Sequence, residues 1–284
     1  MYETFYGLRE KPFSIFPDPA FLYWARPHSM AFTMLEYGIM THAGLTVITG
    51  EIGSVKTTLV RHLLNMLPAN VTVGLVSNAH GEGDDLLQWV MMSLGLEFED
   101  HSYVRLYRQF EGFLFQQHAQ NKRTVVIIDE AQNLGAKALE RLRTISNINS
   151  DKPLLQVILV GQPELKTLLS RPDLVQFAQR VTSDFHLNLL TREDVPAYIN
   201  HRLYIAGANR VLFSAQACDL IHSVSQGTPR LINVLCDRAL MYGYSQDAKL
   251  ITSEILRSVL EDKRKHGAVP VSAINKTDDV ETSR

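Results

Sequence analysis

The 284-residue sequence is poor in cysteine, holding only Cys218 and Cys236, which lack C-x-x-C spacing. That excludes a disulfide framework, and their helical surroundings read as buried small apolar positions and not as a metal pair. No two of its histidines are spaced H-x-x-x-H, so no metal site of that kind is expected. An excess of either charge is also missing: 28 Lys and Arg face 30 Asp and Glu, a formal net charge of −2. Nothing global therefore favours nucleic acid or an acidic membrane as the main partner. The longest uncharged apolar-rich run, LLQWVMMSLGL at 86–96, is well short of the ~20 residues that span a bilayer and reads as a buried helix. The opening MYETFYGLREKPF mixes charges with aromatics and has no continuous apolar core, unlike a secretory signal. The expectation is a protein of the cytoplasm with no intrinsic membrane span.

What the sequence has is the balance of a globular chain, 45% hydrophobic and 20% charged. Short β-rich runs alternate with helical patterns: LTVIT, VTVGLVS at 71–77, TVVIID at 124–129, LLQVILV at 154–160 and TSDFHLN at 182–188. Strands alternating with helices predict right-handed crossovers and a mostly parallel sheet, an α/β core. After Leu190 the strand signals stop. Thr191 with Glu193 and Asp194, Ser214, and Thr252 mark helix starts in a small all-helical domain. The reading divides the chain into 1–43, an N-terminal linker and first helix; 44–190, the α/β core; 191–265, the helical domain; and 266–284, a polar, aperiodic tail expected to be disordered.

Between the run LTVIT and the helical LVRHLLNML stands GEIGSVKTT, residues 50–58. It matches the phosphate loop G-x-x-x-x-G-K-[ST] except that Val55 replaces the second glycine. Such a loop converges backbone N–H groups on phosphate oxygens at a helix N-terminus. Gly50, Glu51, Ile52, Gly53, Ser54, Val55, Lys56, Thr57 and Thr58 are the candidate ATP-binding residues. Lys56 would hold the phosphates and Thr57 would ligate Mg²⁺. The bland alternative is a strand-to-helix turn with a surface lysine. A second motif, TVVIIDEAQNL, brings Asp129 and Glu130 to the carboxyl edge of the sheet. Asp129 would hold the Mg²⁺ and Glu130 would polarise the attacking water; alone, the pair could merely solvate a strand end or cap a helix. Gln162 in GQPEL could orient water or be only a turn residue. Arg180 in QRV and Arg230 in GTPRLINVL could each be a solvated surface charge.

Taken in order, FYGLREKPFSIFPDPAFLYW, the phosphate loop, VVIIDEAQNL, LERLRTISNIN, GQPEL, QRV and GTPRLINVLCDRAL resemble the AAA+ ATPases of the general secretion pathway protein A (ExeA) type. Within them, the secretion ATPases of exosortase (PEP-CTERM) exopolysaccharide loci are the most similar. The resemblance covers about residues 1–262 and implies an AAA+ P-loop fold: a five-stranded sheet in an αβα sandwich with a C-terminal helical lid. It implies that Gly50, Gly53, Lys56 and Thr57 form the Walker A loop and Asp129 and Glu130 the Walker B pair. It places Gln162 at sensor 1, Arg180 at the arginine finger and Arg230 at the sensor 2 arginine of the lid. The opening residues resemble a linker that packs on adenine, through Tyr6 or Phe13; core packing is the alternative for either ring. Such proteins continue into a membrane helix and a peptidoglycan-binding domain not found in this sequence, a departure that puts a direct role at the cell wall in doubt.

Val55 is the departure that bears on activity. If the loop needs a positive φ there, valine costs about 1–2 kcal/mol, and a misplaced N–H loses a charge-assisted bond of about 1.5–3 kcal/mol. Together that predicts roughly 10² to 10³ in affinity, and hydrolysis is more exposed still, since ~1 Å of misplacement spoils alignment. A loop that shifts to accommodate valine, and a recent or introduced substitution, are both consistent with the intact Glu130, Arg180 and Arg230. Three functions are expected in order. The first is an oligomeric, Mg²⁺-dependent ATPase that assembles or remodels protein components of a secretion or exopolysaccharide-export system, peripheral to the inner membrane through its partners. The second is a nucleotide-responsive scaffold with little hydrolysis. The third is a transposition-type ATPase acting with DNA, disfavoured by the near-neutral charge.

Overall fold

The structure is a computed structural model that describes residues 1–77, 85–98, 102–149 and 152–266. The tail expected to be disordered lies, beyond His266, outside the described residues. Along the chain come α1 (Tyr2–Tyr6), α2 (Arg26–Met40), β1 (Leu45–Gly50), α3 (Lys56–Met66) and β2 (Val71–Val76). Next are α4 (Leu86–Ser93), α5 (Tyr103–Ala119), β3 (Arg123–Ile128), α6 (Ala136–Ser146) and β4 (Leu155–Gly161). Then follow α7 (Pro163–Leu169), α8 (Val175–Ala178), β5 (Ser183–Leu187), α9 (Asp194–Ile205), α10 (Ala215–Ser225), α11 (Pro229–Ser245) and α12 (Ser253–His266). Two compact units share these elements: an α/β unit of Arg26–Ile52 and Lys56–Asn188, and a helical unit of Met1–Ala25, Gly53–Val55 and Leu189–Arg284.

The α/β unit is built on one sheet of order β2-β3-β4-β1-β5, with every neighbouring pair parallel. The sequence explains the order. A strand covered on both faces reads as an unbroken apolar run, and β1 and β4 are buried at every position. The more polar SDFHL of β5 and the partly exposed VTVGLV of β2 occupy the edges. LLQWVMMS forms α4, burying Leu86, Leu87, Val90 and Met91 in the core. The five expected strands and the α/β P-loop architecture are therefore those observed. Gln156, buried in β4, donates through Nε2 to the Gly38 carbonyl at 3.0 Å, which ties α2 to the sheet.

In the helical unit the N-terminal segment is bound to α9 and α11. Arg202 is 5% exposed; its Nε donates to the Pro12 carbonyl at 2.6 Å and its guanidinium lies 4.8 Å from the Phe21 ring centre. Asn233 donates to the Ser14 carbonyl at 3.2 Å and accepts from the Tyr198 hydroxyl at 2.8 Å. Cys218 and Cys236 are free and buried. Ser214 caps α10 by accepting from the Ala217 N–H. Gly227 is required by close approach: its φ is +75°, and a Cβ there would meet the Leu190 carbonyl oxygen at 1.9 Å. Tyr6 and Phe13 are each 2% exposed, and the Tyr6 hydroxyl donates to the Ala248 carbonyl at 3.0 Å. Both rings are committed to this core, so the core-packing account holds for them and neither offers a face to an adenine.

Candidate functional site

β1 ends at Gly50 and α3 begins at Lys56, so the phosphate-loop motif is the turn between them. Gly53 has φ 80° and Val55 φ 62°. The first is ordinary for glycine; the second puts a β-branched residue in the left-handed region, where its side chain crowds the following carbonyl. The valine thus takes the curl that glycine normally supplies. Since that strain is present in the free chain, it burdens the stability of the fold and cancels from binding.

Lys56 is 6% exposed and its ammonium donates to the carbonyls of Gly50 at 2.7 Å and Glu51 at 2.9 Å, folded back over its own loop. Burial pushes its pKa down, against the opposing charges of Glu130, Asp129 and Glu51. Ser54 is 1% exposed, yet its hydroxyl finds no hydrogen-bond partner among the described residues. Thr58 is buried, while Glu51 and Ile52 are exposed. Within the helical unit, a Cβ on Gly53 would lie 2.8 Å from the Cβ of Arg230 and 3.2 Å from Cγ2 of Thr228. Only glycine fits against the first turn of α11.

Asp129 follows β3 directly and accepts from Thr57 Oγ1 at 3.2 Å and from the Glu130 N–H at 2.9 Å. Burial raises its pKa, and the Glu130 N–H opposes that rise. Glu130 turns the chain with φ 54°. Its Oε2 accepts from Gln162 Nε2 at 3.0 Å and from Gln132 Nε2 at 2.5 Å. Burial pushes its carboxyl up, but the two amides and the Lys56 charge more than reverse this, leaving it below the usual range. Lys56, Thr57, Asp129, Glu130 and Gln162 therefore meet at the carboxyl ends of β1, β3 and β4. Gln132 joins them unforeseen; the signal available was its place two residues after the glutamate, in a short turn.

Arg180 is elsewhere. It precedes β5, whose register pairs Ser183 with Thr46 and Leu187 with Gly50, so four residues of strand, about 13 Å, separate its end of the sheet from the loop. Its guanidinium donates to the Arg143 carbonyl at 3.2 Å and Ser146 Oγ at 2.9 Å, at the end of α6. It lines an open groove of about 430 Å³ with Gly44, Leu45, Asn147 and Asn149.

The residues suit the phosphates of a nucleotide such as ATP, with Mg²⁺. An orphaned buried hydroxyl in Ser54 and a buried ammonium satisfied only by carbonyls match the demands of phosphate oxygens. The touching oxygens of Thr57 and Asp129 are hard ligands of the kind Mg²⁺ takes.

The model of the AAA domain family matches residues 39–169. General secretion pathway protein A of Aeromonas hydrophila is 39% identical over 264 residues, 92% of this chain and 48% of that protein. The chain thus spans about half the length of that curated relative. Among solved structures, Cdc6p from Pyrobaculum aerophilum gives a TM-score of 0.66 at 15% identity, over 86% of this chain and 70% of that one. The Aeropyrum pernix ORC1 protein, solved in complex with DNA, gives 0.62 at 15% identity, over 90% and 70%. At such identities these two likenesses speak to the fold alone. Among the described residues no helix is long and apolar enough to cross a membrane.

Proposed function

From a chain that carries an AAA domain and is related over most of its length to general secretion pathway protein A, we propose an ATPase that uses ATP to assemble or remodel protein components of a secretion or exopolysaccharide-export system. The observation that carries the reading is the convergence of Lys56, Thr57, Asp129 and Glu130 at one sheet edge. In this reading Lys56 exchanges its two carbonyl partners for phosphate oxygens, and the Ser54 hydroxyl gains the partner it lacks. Thr57 and Asp129 hold Mg²⁺, which supplies charge neutralisation on the phosphates. Glu130, ionised, accepts the proton of the attacking water, and the Gln162 amide orients that water. Arg180 serves a neighbouring subunit and Arg230 acts from the helical lid. The functional division is the one expected above: 1–43, 44–190 and 191–265. The protein would work in the cytoplasm, reaching the inner membrane through partners.

Val55 tempers the activity. With the positive φ already taken, the binding loss reduces to the phosphate contact of the Val55 N–H that its β-branched side chain would crowd, about 1.5–3 kcal/mol or roughly 10- to 10²-fold. That residue also favours a second reading, a nucleotide-responsive scaffold with little hydrolysis. The two readings separate in one experiment: MgATP affinity by calorimetry, and phosphate release, for the wild type and Glu130→Gln. The ATPase reading expects the variant to bind like the wild type and release at least 10²-fold less phosphate. Binding with equal, background release from both would leave the scaffold.

A further inference from the structure

One side chain at this site satisfies two turns at once. Gln132, in the turn after β3, donates from Nε2 to Glu130 Oε2 at 2.5 Å. Its Oε1 accepts the backbone N–H of Gln162, after β4, at 2.9 Å. The orientation of the amide is fixed by this pair, because a backbone N–H can only donate and so must face the oxygen, leaving the NH₂ for the carboxylate. Gln162 adds its own Nε2 to the same carboxylate oxygen at 3.0 Å. Both amides thus converge on Oε2, and Glu130 Oε1 takes part in neither bond. The backbone agrees with so close an arrangement: a Cβ on Gly161 would come within 3.0 Å of Gln132 Oε1 and 2.8 Å of Leu165 Cδ2. Glu130 itself sits at φ 54°, a conformation that persists in a non-glycine residue where its surroundings over-determine it.

We propose that Gln132 is a positioning residue, clamping the Glu130 carboxylate to the Gln162 turn so that one oxygen is held and the other is presented to water. The proposal rests on the ATPase reading for its use of Glu130, but its geometry can be tested without turnover. Gln132→Glu keeps the acceptor for the Gln162 N–H and turns the donor to Glu130 into a like charge. Glu130→Gln exchanges the charged acceptor for the weaker oxygen of a neutral amide. The double variant Glu130→Gln/Gln132→Glu restores one donor and one acceptor in reverse. Thermal melts of the four proteins should show each single variant lowered and the double recovering more than half of the summed loss. Additive losses would overturn the clamp.

The second measurement is a split between binding and turnover. Gln132→Leu should lower kcat about 10- to 100-fold while the Kd for a non-hydrolysable ATP analogue stays within about three-fold. A parallel loss of affinity, or unchanged kcat in a hydrolysing protein, would reduce Gln132 to a packing role and overturn the proposal. If the wild type shows no hydrolysis, the ATPase reading fails, and the melts still decide whether Gln132 holds Glu130.

Discussion

Val55 and Glu130 are bent into the same left-handed backbone, at φ 62° and 54°, and only Val55 is β-branched. Glu130 is secured there by two amides, whereas Val55 is a residue of the wrong shape in a turn that glycine would make freely. Replacing it by glycine relieves about 1–2 kcal/mol of strain and returns about 0.5–1 kcal/mol as chain entropy. Val55→Gly should therefore be neutral to about 1.5 kcal/mol more stable, a rise of up to a few degrees in Tm, with MgATP binding roughly 10- to 10²-fold tighter. Denaturant unfolding and calorimetry check both. A less stable glycine variant would remove the strain account.

Lys56 is a desolvated cation held by two carbonyls of its own loop, an arrangement suited to exchanging those carbonyls for phosphate oxygens. Lys56→Met should change stability by no more than about 1 kcal/mol, because the lost hydrogen bonds are offset by removing a buried charge. Nucleotide binding should fall beyond detection by calorimetry. A large loss of stability in the free protein would mean that the lysine holds the loop and not the phosphates.

The Tyr6 hydroxyl is pushed up to about 12 by burial, with Arg210 opposing. In the unfolded chain a tyrosine ionises near 10, so the preference for the neutral form is fully present below that pH and is lost as pH climbs through 12. Tyr2 and Tyr198 are shifted in the same direction by burial. Stability of the helical unit should thus fall from about pH 10 upward. Tyr6→Phe, less stable near neutrality for want of the bond to Ala248, should show a shallower alkaline limb, so that the two stability curves draw together. Parallel curves in denaturant titrations at stepped pH would contradict the assignment.

Arg202 ties Pro12 to α9 across 190 residues of sequence. Arg202→Met leaves the Pro12 carbonyl without its donor in a buried place, while Ser14 keeps Asn233, at about 2–3 kcal/mol. Its Tm should drop roughly 5 to 10 °C, and limited proteolysis should then cut within residues 9–18 before it cuts the α/β unit. Protection equal to that of the wild type would show that the aromatic contacts alone secure the segment.

The sheet was legible because β1, β3 and β4 are apolar β-branched runs that only a doubly covered strand accommodates, and the loop was legible because its glycine and lysine spacing is dictated by phosphate geometry. The positive φ at Val55 followed from the same rule. Gln132 was legible only through its place two residues after Glu130: its other partner Gln162 lies 30 residues on, and nothing in the polar turn signals that contact. Nor do Tyr6 and Phe13 reveal in sequence which side of an aromatic ring a core will claim. Met1–Ala25 groups with the last helices partly through Arg202, whose buried role runs against the usual fate of an arginine.

Arg180 is an arginine-finger candidate by resemblance alone, and its place in the fold sharpens what it can do. Its register puts it at the amino edge of the sheet, away from Gly50, Asp129 and Gln162, where it is bound to Arg143 and Ser146. In the proposed ATPase reading its contribution to hydrolysis comes through a neighbouring copy, and a finger supplied in trans can be worth about 10³-fold in rate. In the Val55→Gly background, Arg180→Ala should bind MgATP normally and turn over slowly, and Lys56→Ala should do neither. Mixing the two makes interfaces at which an intact nucleotide site meets an intact arginine, so part of the activity should return, in proportion to the fraction of mixed contacts. Arg230, which lies against Gly53 of its own chain, should act in cis, and Arg230→Ala should gain nothing from the same mixing. If Arg180→Ala and Lys56→Ala co-assemble by light scattering and no ratio of the two restores phosphate release, Arg180 is a cap on α6 and the trans mechanism is wrong.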